Sequence, residues 1–136
     1  MTQSVQSVTS RTLPVPAGPY SPATITGNLI FVSGQGGRDP STNRLAGPGV
    51  EAQTEQALKN VAAILEAGGS GLAHVLRCGV FLVDIAEFPR MNEVYARMFG
   101  DHRPARTTVE VSALPGEGMR VEIDAIAVIP GRPAHQ

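Results

Sequence analysis

The sequence predicts one α/β (α+β) domain over residues 1–136, in which two helices cover one face of a mixed β-sheet. Helical periodicity occurs in only two segments, and strand-like runs flank both of them. A chain of 136 residues is long enough for one domain with a real core. The predicted order is strand, strand, strand, helix, strand, helix, strand, strand. Helices between strands require crossovers, and we expect both on the same face.

The N-terminal part predicts an edge element followed by a hairpin. An early segment contains four prolines, Pro14, Pro16, Pro19 and Pro22. Because proline fixes the backbone and cannot donate a ladder hydrogen bond, this segment must be loop or edge strand. Residues 23–26 and 29–33 are strand-like and flank the turn Gly27-Asn28, so they predict a hairpin.

The two helices are marked by apolar spacing. Over residues 50–67, Leu58, Val61 and Leu65 recur at helical intervals, and Gly68 follows. A second amphipathic helix begins at residue 88, with Pro89 in its first turn, and closes at Gly100. Between them, residues 75–83 form a nearly continuous apolar run, which is typical of a strand buried on both faces.

Two final strands carry charge where a buried strand should not. They span residues 105–111 and 121–128. Because strand side chains alternate, Glu122 and Asp124 lie opposite the apolar face of the last strand. In the simplest register, these two strands pair with each other and Arg106 lies on the same face as Glu122. The pair predicts a site for a small anion, and an interface ion pair explains it equally well.

The uncovered face of the sheet predicts subunit association. It should carry a half-apolar set of residues, namely Leu76, Cys78, Val80 and Leu82 or their alternates, with Ile126 and Val128. The low share of charged residues, 17%, is also consistent with surface hidden in an oligomer.

Composition excludes several classes of protein. The 11 Lys and Arg nearly balance the 12 Asp and Glu, so we expect neither nucleic acid nor an anionic membrane as partner. No apolar run reaches the roughly 20 residues of a membrane span, and no secretory signal is visible. The single cysteine, Cys78, cannot form an internal disulfide, which fits a reducing, cytoplasmic setting.

Common catalytic and cofactor motifs are missing. Gly34-x-Gly36 follows a strand, but Asp39 stands where a dinucleotide-binding fingerprint needs its third glycine. Ser33 has no nucleophile elbow, and a role in orienting a ligand or completing its loop is the better interpretation. The three histidines have no metal-ligand spacing with Cys78 or with carboxylates. Cys78 is expected to be a small buried hydrophobe.

Taken together, the motifs resemble the YjgF/RidA family of reactive-intermediate deaminases over about residues 14–129. The resemblance rests on Gly18-Pro19-Tyr20-Ser21, Ser33-Gly34-Gln35, Asn60, Val80-Phe81-Leu82-Val83-Asp84, Asn92-x-x-Tyr95, Pro104-Ala105-Arg106-Thr107, Leu114-Pro115 and Val121-Glu122-Ile123-Asp124-Ala125.

This resemblance implies a chorismate-mutase-like fold and a homotrimer with sites in the clefts between subunits. It also implies hydrolysis of carboxylate-bearing enamines and imines, such as 2-aminoacrylate, to 2-keto acids and ammonia, with no metal and no organic cofactor. By position, Arg106 resembles the arginine that binds the substrate carboxylate, and Glu122 the glutamate that handles water. The positions that resemble cleft-lining or supporting residues are Tyr20, Ser33, Gly34 and Asn92.

Two departures from the family pattern leave other functions open. Gly36-Gly37 replaces an apolar-Pro pair, and Arg103 stands where an aromatic often precedes Pro-Ala-Arg. Both border the expected cleft, so a larger enamine of aminomuconate type is one alternative substrate. A keto-acid-binding trimer or stress chaperone without catalysis is another alternative. Relatives have also been called endoribonucleases, but the charge balance argues against RNA binding.

Overall fold

The computed structural model describes residues 4–134 and confirms the predicted arrangement of two helices on one face of a mixed sheet. The strands are β1 Gln6–Val8, β2 Ala23–Thr26, β3 Leu29–Gln35, β4 Arg38–Asp39, β5 Arg44–Leu45, β6 Val75–Leu82, β7 Ala105–Glu110 and β8 Val121–Val128. The helices are α1 Val50–Ala67 and α2 Phe88–Phe99. Six strands form one sheet in the order β1-β2-β3-β8-β6-β7, and β4 pairs with β5 in a separate hairpin.

The N-terminal edge strand lies earlier than the proline-rich segment. β1 precedes the prolines and pairs antiparallel with β2, with Gln6 opposite Ile25. The prolines themselves lie in a connection without strand structure, since a proline cannot donate a ladder hydrogen bond. The small β4–β5 hairpin falls in the turn-rich segment after Gly37, where no strand was predicted.

The core lies between the helices and one face of the sheet. Alternate residues of β8, Val121, Ile123, Ala125 and Ala127, are buried, as their apolar pattern predicts. They pack against α1, whose apolar stripe is also buried and includes Leu58, Val61, Ile64 and Leu65. α2 packs beside α1, so both helices cover this one face.

The prediction that the last two strands pair with each other was wrong. β7 and β8 are not neighbours, because β6 lies between them, parallel to β7 and antiparallel to β8. Arg106 is opposite Cys78, whereas Glu122 is opposite Phe81. Paired residues share a face, and positions 78 and 81 of β6 point to opposite faces. Arg106 therefore lies on the helix side of the sheet and Glu122 on the open side.

The side chains of β6 also alternate between the two faces of the sheet. Cys78, Val80 and Leu82 are fully buried under the helices, so the open face carries their alternates instead. The single cysteine is therefore the buried hydrophobe that the sequence predicts. On the open side, Phe31 is 40% exposed, and Leu76, at an irregularity in β6, is 47% exposed. Ile126, opposite Phe31, lies on this open face as predicted.

Candidate active site

The predicted site residues form two groups, one on each side of the sheet. Arg106 and Asn92 line one cavity between β7 and α2. Gly34 and Glu122 lie together on the open side, where β3 and β8 are neighbours. Among the ion pairs of residues 4–134 there is none between Arg106 and Glu122. An ion pair between these two residues across an interface, the alternative considered from the sequence, stays a prediction.

The guanidinium of Arg106 is held by aromatic rings of α2. Its Cζ atom lies 4.7 Å from the ring centroid of Tyr95 and 5.5 Å from that of Phe88. Such contacts stabilise and orient a cation without using its N–H groups. No carboxylate among residues 4–134 forms an ion pair with this guanidinium, so its fork can meet the carboxylate of a ligand.

The cavity beside Arg106 has a volume of about 310 Å³. It is lined by Asn92, Tyr95, Ala96, Arg103, Pro104 and Arg106. The Oδ1 atom of Asn92 is buried and has no hydrogen-bond partner among residues 4–134, whereas the buried hydroxyl of Tyr95 lies beside the Cys78 thiol and the Arg106 guanidinium. Buried polar atoms are nearly always paired, so the Asn92 oxygen indicates a polar occupant. Burial raises the pKa of Tyr95 far above its ordinary value, and its hydroxyl stays protonated as a donor.

Glu122 is the candidate proton acceptor on the open side of the sheet. Burial, followed by the repulsion of Asp124 two residues along the same face, raises the pKa of the Glu122 carboxyl. A carboxylate with a raised pKa is a better proton acceptor for water than an ordinary one. Asp124 itself accepts a hydrogen bond from the Gly79 N–H at 2.7 Å.

Gly34 leaves room for the Glu122 side chain. A Cβ atom at position 34 would lie 2.8 Å from the Glu122 Cδ atom and 3.1 Å from Oε1. The absence of a side chain therefore lets β3 approach this carboxylate closely. The next glycine, Gly36, leaves space that the Met119 methyl group fills, since a Cβ there would lie 2.5 Å from Met119 Cε. Gly36, which departs from the family pattern, thus lets the thioether side chain of Met119 pack against the loop that follows β3.

The loop after β3 is fixed by polar side chains of α1. Asn60 is 2% exposed, and its Nδ2 atom donates to the carbonyls of Gly36 at 3.2 Å and Arg38 at 2.8 Å. Gln56 Nε2 donates to Asn60 Oδ1 at 2.9 Å and so holds the amide in place. These contacts explain why α1 carries polar residues on its buried side.

Ser33 and Tyr20 make hydrogen bonds within the N-terminal segment. The Ser33 hydroxyl donates to the Ser21 carbonyl at 2.7 Å, so it completes its loop as one sequence interpretation proposed. The Tyr20 hydroxyl accepts from the Ala17 N–H at 3.1 Å, and the residue remains 49% exposed. Tyr20 thus anchors this segment while presenting part of its side chain outward.

Sequence reasoning missed three contributors to the site. Tyr95 and Phe88 were given no role in the site, although Tyr95 is one turn from Asn92 and so shares its face. Asp124 was noted as a second acid without its effect on Glu122. The His102 ring is half-buried and forms a hydrogen bond with the Val75 carbonyl at 2.7 Å. His135 lies outside the described residues.

Within residues 4–134 no group of three or more His, Cys, Asp or Glu side chains is arranged to hold a metal ion. Neither helix in the same range combines the length and apolar character needed to cross a bilayer.

Comparison with known sequences decides the family. The sequence model of the family described as Endoribonuclease L-PSP matches residues 10–129, nearly the whole chain. The chain belongs to this family, also called YjgF/RidA. A RutC family protein of Pyrococcus horikoshii is 47% identical over 84% of this chain and 90% of its own length. Human 2-iminobutanoate/2-iminopropanoate deaminase is 43% identical over 82% of this chain and 80% of its own.

Solved structures of YjgF/RidA proteins have the same fold. The crystal structure of RidA from the Antarctic bacterium Psychrobacter sp. superposes with a TM-score of 0.86 at 40% identity. That match covers 91% of this chain and 99% of the other. The arrangement of six strands and two helices is therefore that of the family.

Proposed function

We propose that this protein is a deaminase that hydrolyses 2-imino acids and their enamine tautomers to 2-keto acids and ammonia. The observation that carries the proposal is the pair of unlike groups, a presented guanidinium and a carboxylate whose pKa is raised. The similarity to the human deaminase supports the same reaction class. In the reaction, one water adds across the C=N bond, the C–N bond then breaks, and ammonia leaves.

Arg106 binds the substrate carboxylate in this proposal. A guanidinium fork meets a carboxylate through two parallel hydrogen bonds, which fix orientation as well as adding affinity. Once the carboxylate is fixed, the neighbouring imine carbon has one defined position. Asn92, in the same cavity, offers Oδ1 as an acceptor for the N–H of the substrate.

Glu122 accepts a proton from the attacking water. Gly34 lets the chain approach its carboxylate, and Ser33 and Tyr20 shape the neighbouring segment. General-base catalysis typically contributes about 10²–10⁴-fold. Because imines already hydrolyse in water, such a modest contribution is sufficient, and the proposed reaction uses no metal or organic cofactor.

The complete site requires two copies of the chain. Within one chain, Arg106 lies on the helix side of the sheet and Glu122 on the open side. The open face also carries exposed apolar side chains, Phe31 at 40%, Leu76 at 47% and Val109 at 39%. We infer that this face associates with neighbouring copies in a homotrimer, so that Arg106 of one subunit and Glu122 of another border one cleft. The small-molecule partner then binds between subunits.

The test is catalysed hydrolysis of 2-iminopropanoate generated in situ, followed as pyruvate and ammonia release. Wild-type protein should accelerate the reaction above buffer, and Arg106→Ala should lose most of that acceleration. Arg44→Gln is the matched control, because Arg44 is an exposed arginine outside the proposed site. Wild-type and Arg106→Ala rates that both equal the buffer rate would refute the proposal.

A further inference from the structure

A second arginine lines the cavity that holds Arg106. Arg103 is exposed and lies at its rim, three residues before Arg106 in the irregular segment that leads into β7. Its Nη1 atom donates to the carbonyl of Gly100 and, at 3.0 Å, to that of His102. Two carbonyl acceptors on one nitrogen hold the guanidinium near the rim. The other nitrogens, Nε and Nη2, have no hydrogen-bond partner among residues 4–134 and remain free to bind a ligand.

Neither cation in this cavity is neutralised by the chain. Among residues 4–134, the ion pairs involve other arginines and one lysine, but not Arg103 or Arg106. The other lining residues are Asn92, Tyr95, Ala96 and Pro104, and none of them is acidic. Two unpaired positive charges beside one small cavity repel each other and favour an occupant with two negative charges.

The cavity size fits a small dianion. Its volume of about 310 Å³ is at the lower end of the range for ligand pockets, roughly 300–1,000 Å³. A succinate- or glutarate-sized molecule is short enough to lie between two arginines that border the same cavity. The buried Asn92 Oδ1 then remains as an acceptor for the N–H of that molecule.

We propose that Arg103 makes this site selective for imino acids with a second carboxylate, of the 2-iminosuccinate or 2-iminoglutarate class. The inference rests on the proposed deaminase function, with Arg106 binding the carboxylate next to the imine and Arg103 the distal one. The hydrolysis is unchanged, since one water is consumed and ammonia leaves. Reactions that supply such substrates are oxidations of acidic amino acids at the amino-bearing carbon.

The experiment compares kcat/KM for the imines of glutamate and alanine, each generated in situ by an amino-acid oxidase. Arg103→Gln should lower the glutamate-to-alanine ratio of kcat/KM at least about 10-fold, the usual effect of losing one charged hydrogen-bonding partner. Arg103→Lys keeps the charge without the fork and should lower the ratio less. Arg44→Gln removes an exposed charge elsewhere and should leave the ratio unchanged. A ratio for Arg103→Gln within twofold of wild type overturns the proposal.

A binding measurement separates this inference from the proposed function. Titration with 2-oxoglutarate and with pyruvate, followed by NMR, needs no catalysis. Wild type should bind 2-oxoglutarate more tightly than pyruvate, and Arg103→Gln should remove most of that preference. If imines are not hydrolysed but this preference is present and lost in Arg103→Gln, the deaminase function fails and the dicarboxylate site stands. Equal affinities for the two keto acids in wild type would overturn the dicarboxylate site.

Discussion

Substituting Gly34 by alanine should displace the Glu122 carboxylate without unfolding the protein. The added Cβ atom would lie 2.8 Å from Glu122 Cδ, whereas carbon atoms in contact are about 3.5–4.0 Å apart. The carboxylate must therefore move by about 0.7–1.2 Å. A misplacement of about 1 Å at a catalytic group costs about 10²-fold in rate, and we expect that loss in kcat/KM for 2-iminopropanoate.

The cost in stability should be small, because the clash is with the end of a flexible side chain and Gly34 has no left-handed backbone angle. Thermal unfolding followed by circular dichroism should therefore show a melting temperature within a few degrees of wild type. Gly71→Ala is the control, since Gly71 is extended and a Cβ there meets nothing within 4 Å. If Gly34→Ala kept activity within about threefold of wild type, the role of Glu122 position in catalysis would be refuted.

Further predictions concern charge and packing. Arg106→Lys keeps the charge but loses the fork, and kcat/KM for 2-iminopropanoate should fall about 10–100-fold in steady-state assays. Glu122→Gln should lower kcat about 10²–10⁴-fold. It should also raise the melting temperature at pH 8, because an ionised carboxylate whose folded pKa is raised costs stability above that pKa. The difference should vanish near pH 4, below the ordinary pKa of glutamate. In a pH profile, kcat/KM should fall as pH falls through the raised pKa of Glu122. Asp124→Asn should move this fall in kcat/KM to lower pH, because the repulsion between the Asp124 and Glu122 carboxylates is lost. Gln53→Leu should lower the free energy of unfolding by about 2–4 kcal/mol in a urea titration, because it strands the Gly47 and Gly118 carbonyls and the Arg120 N–H. If a variant left its rate constant, melting temperature, pH profile or free energy of unfolding unchanged, the role given to the substituted side chain would be contradicted.

The fold was largely predictable because its elements have strong local signals. The helical spacing of Leu58, Val61 and Leu65 located α1 at its observed bounds. The alternation of apolar residues in β8 likewise identified its buried face. Such patterns depend only on the period of the secondary structure, so a single sequence contains them.

Strand order was not predictable in the same way. Adjacent strands in sequence often pair, but β6 lies between β7 and β8. That insertion moves Arg106 to the opposite face from Glu122, and no residue within either strand signals it. The β4–β5 hairpin and the contact between Gly36 and Met119 also depend on segments distant in sequence.

The site residues were named by resemblance, whereas their surroundings come from the structure. Chemistry alone singled out Arg106 and Glu122 as charges in strands. It did not show that Tyr95 and Phe88 hold the guanidinium, or that Asp124 raises the pKa of Glu122. These effects arise from contacts between elements, which periodicity does not specify.

Subunit complementation tests the shared site most directly. Arg106→Ala and Glu122→Gln chains, each inactive alone, are co-expressed in equal amounts and assayed with 2-iminopropanoate. If each site combines Arg106 of one copy with Glu122 of another, random association restores about a quarter of the sites. We therefore expect about a quarter of wild-type kcat per chain. A mixture no more active than its two parents would contradict a site built from two copies of this chain.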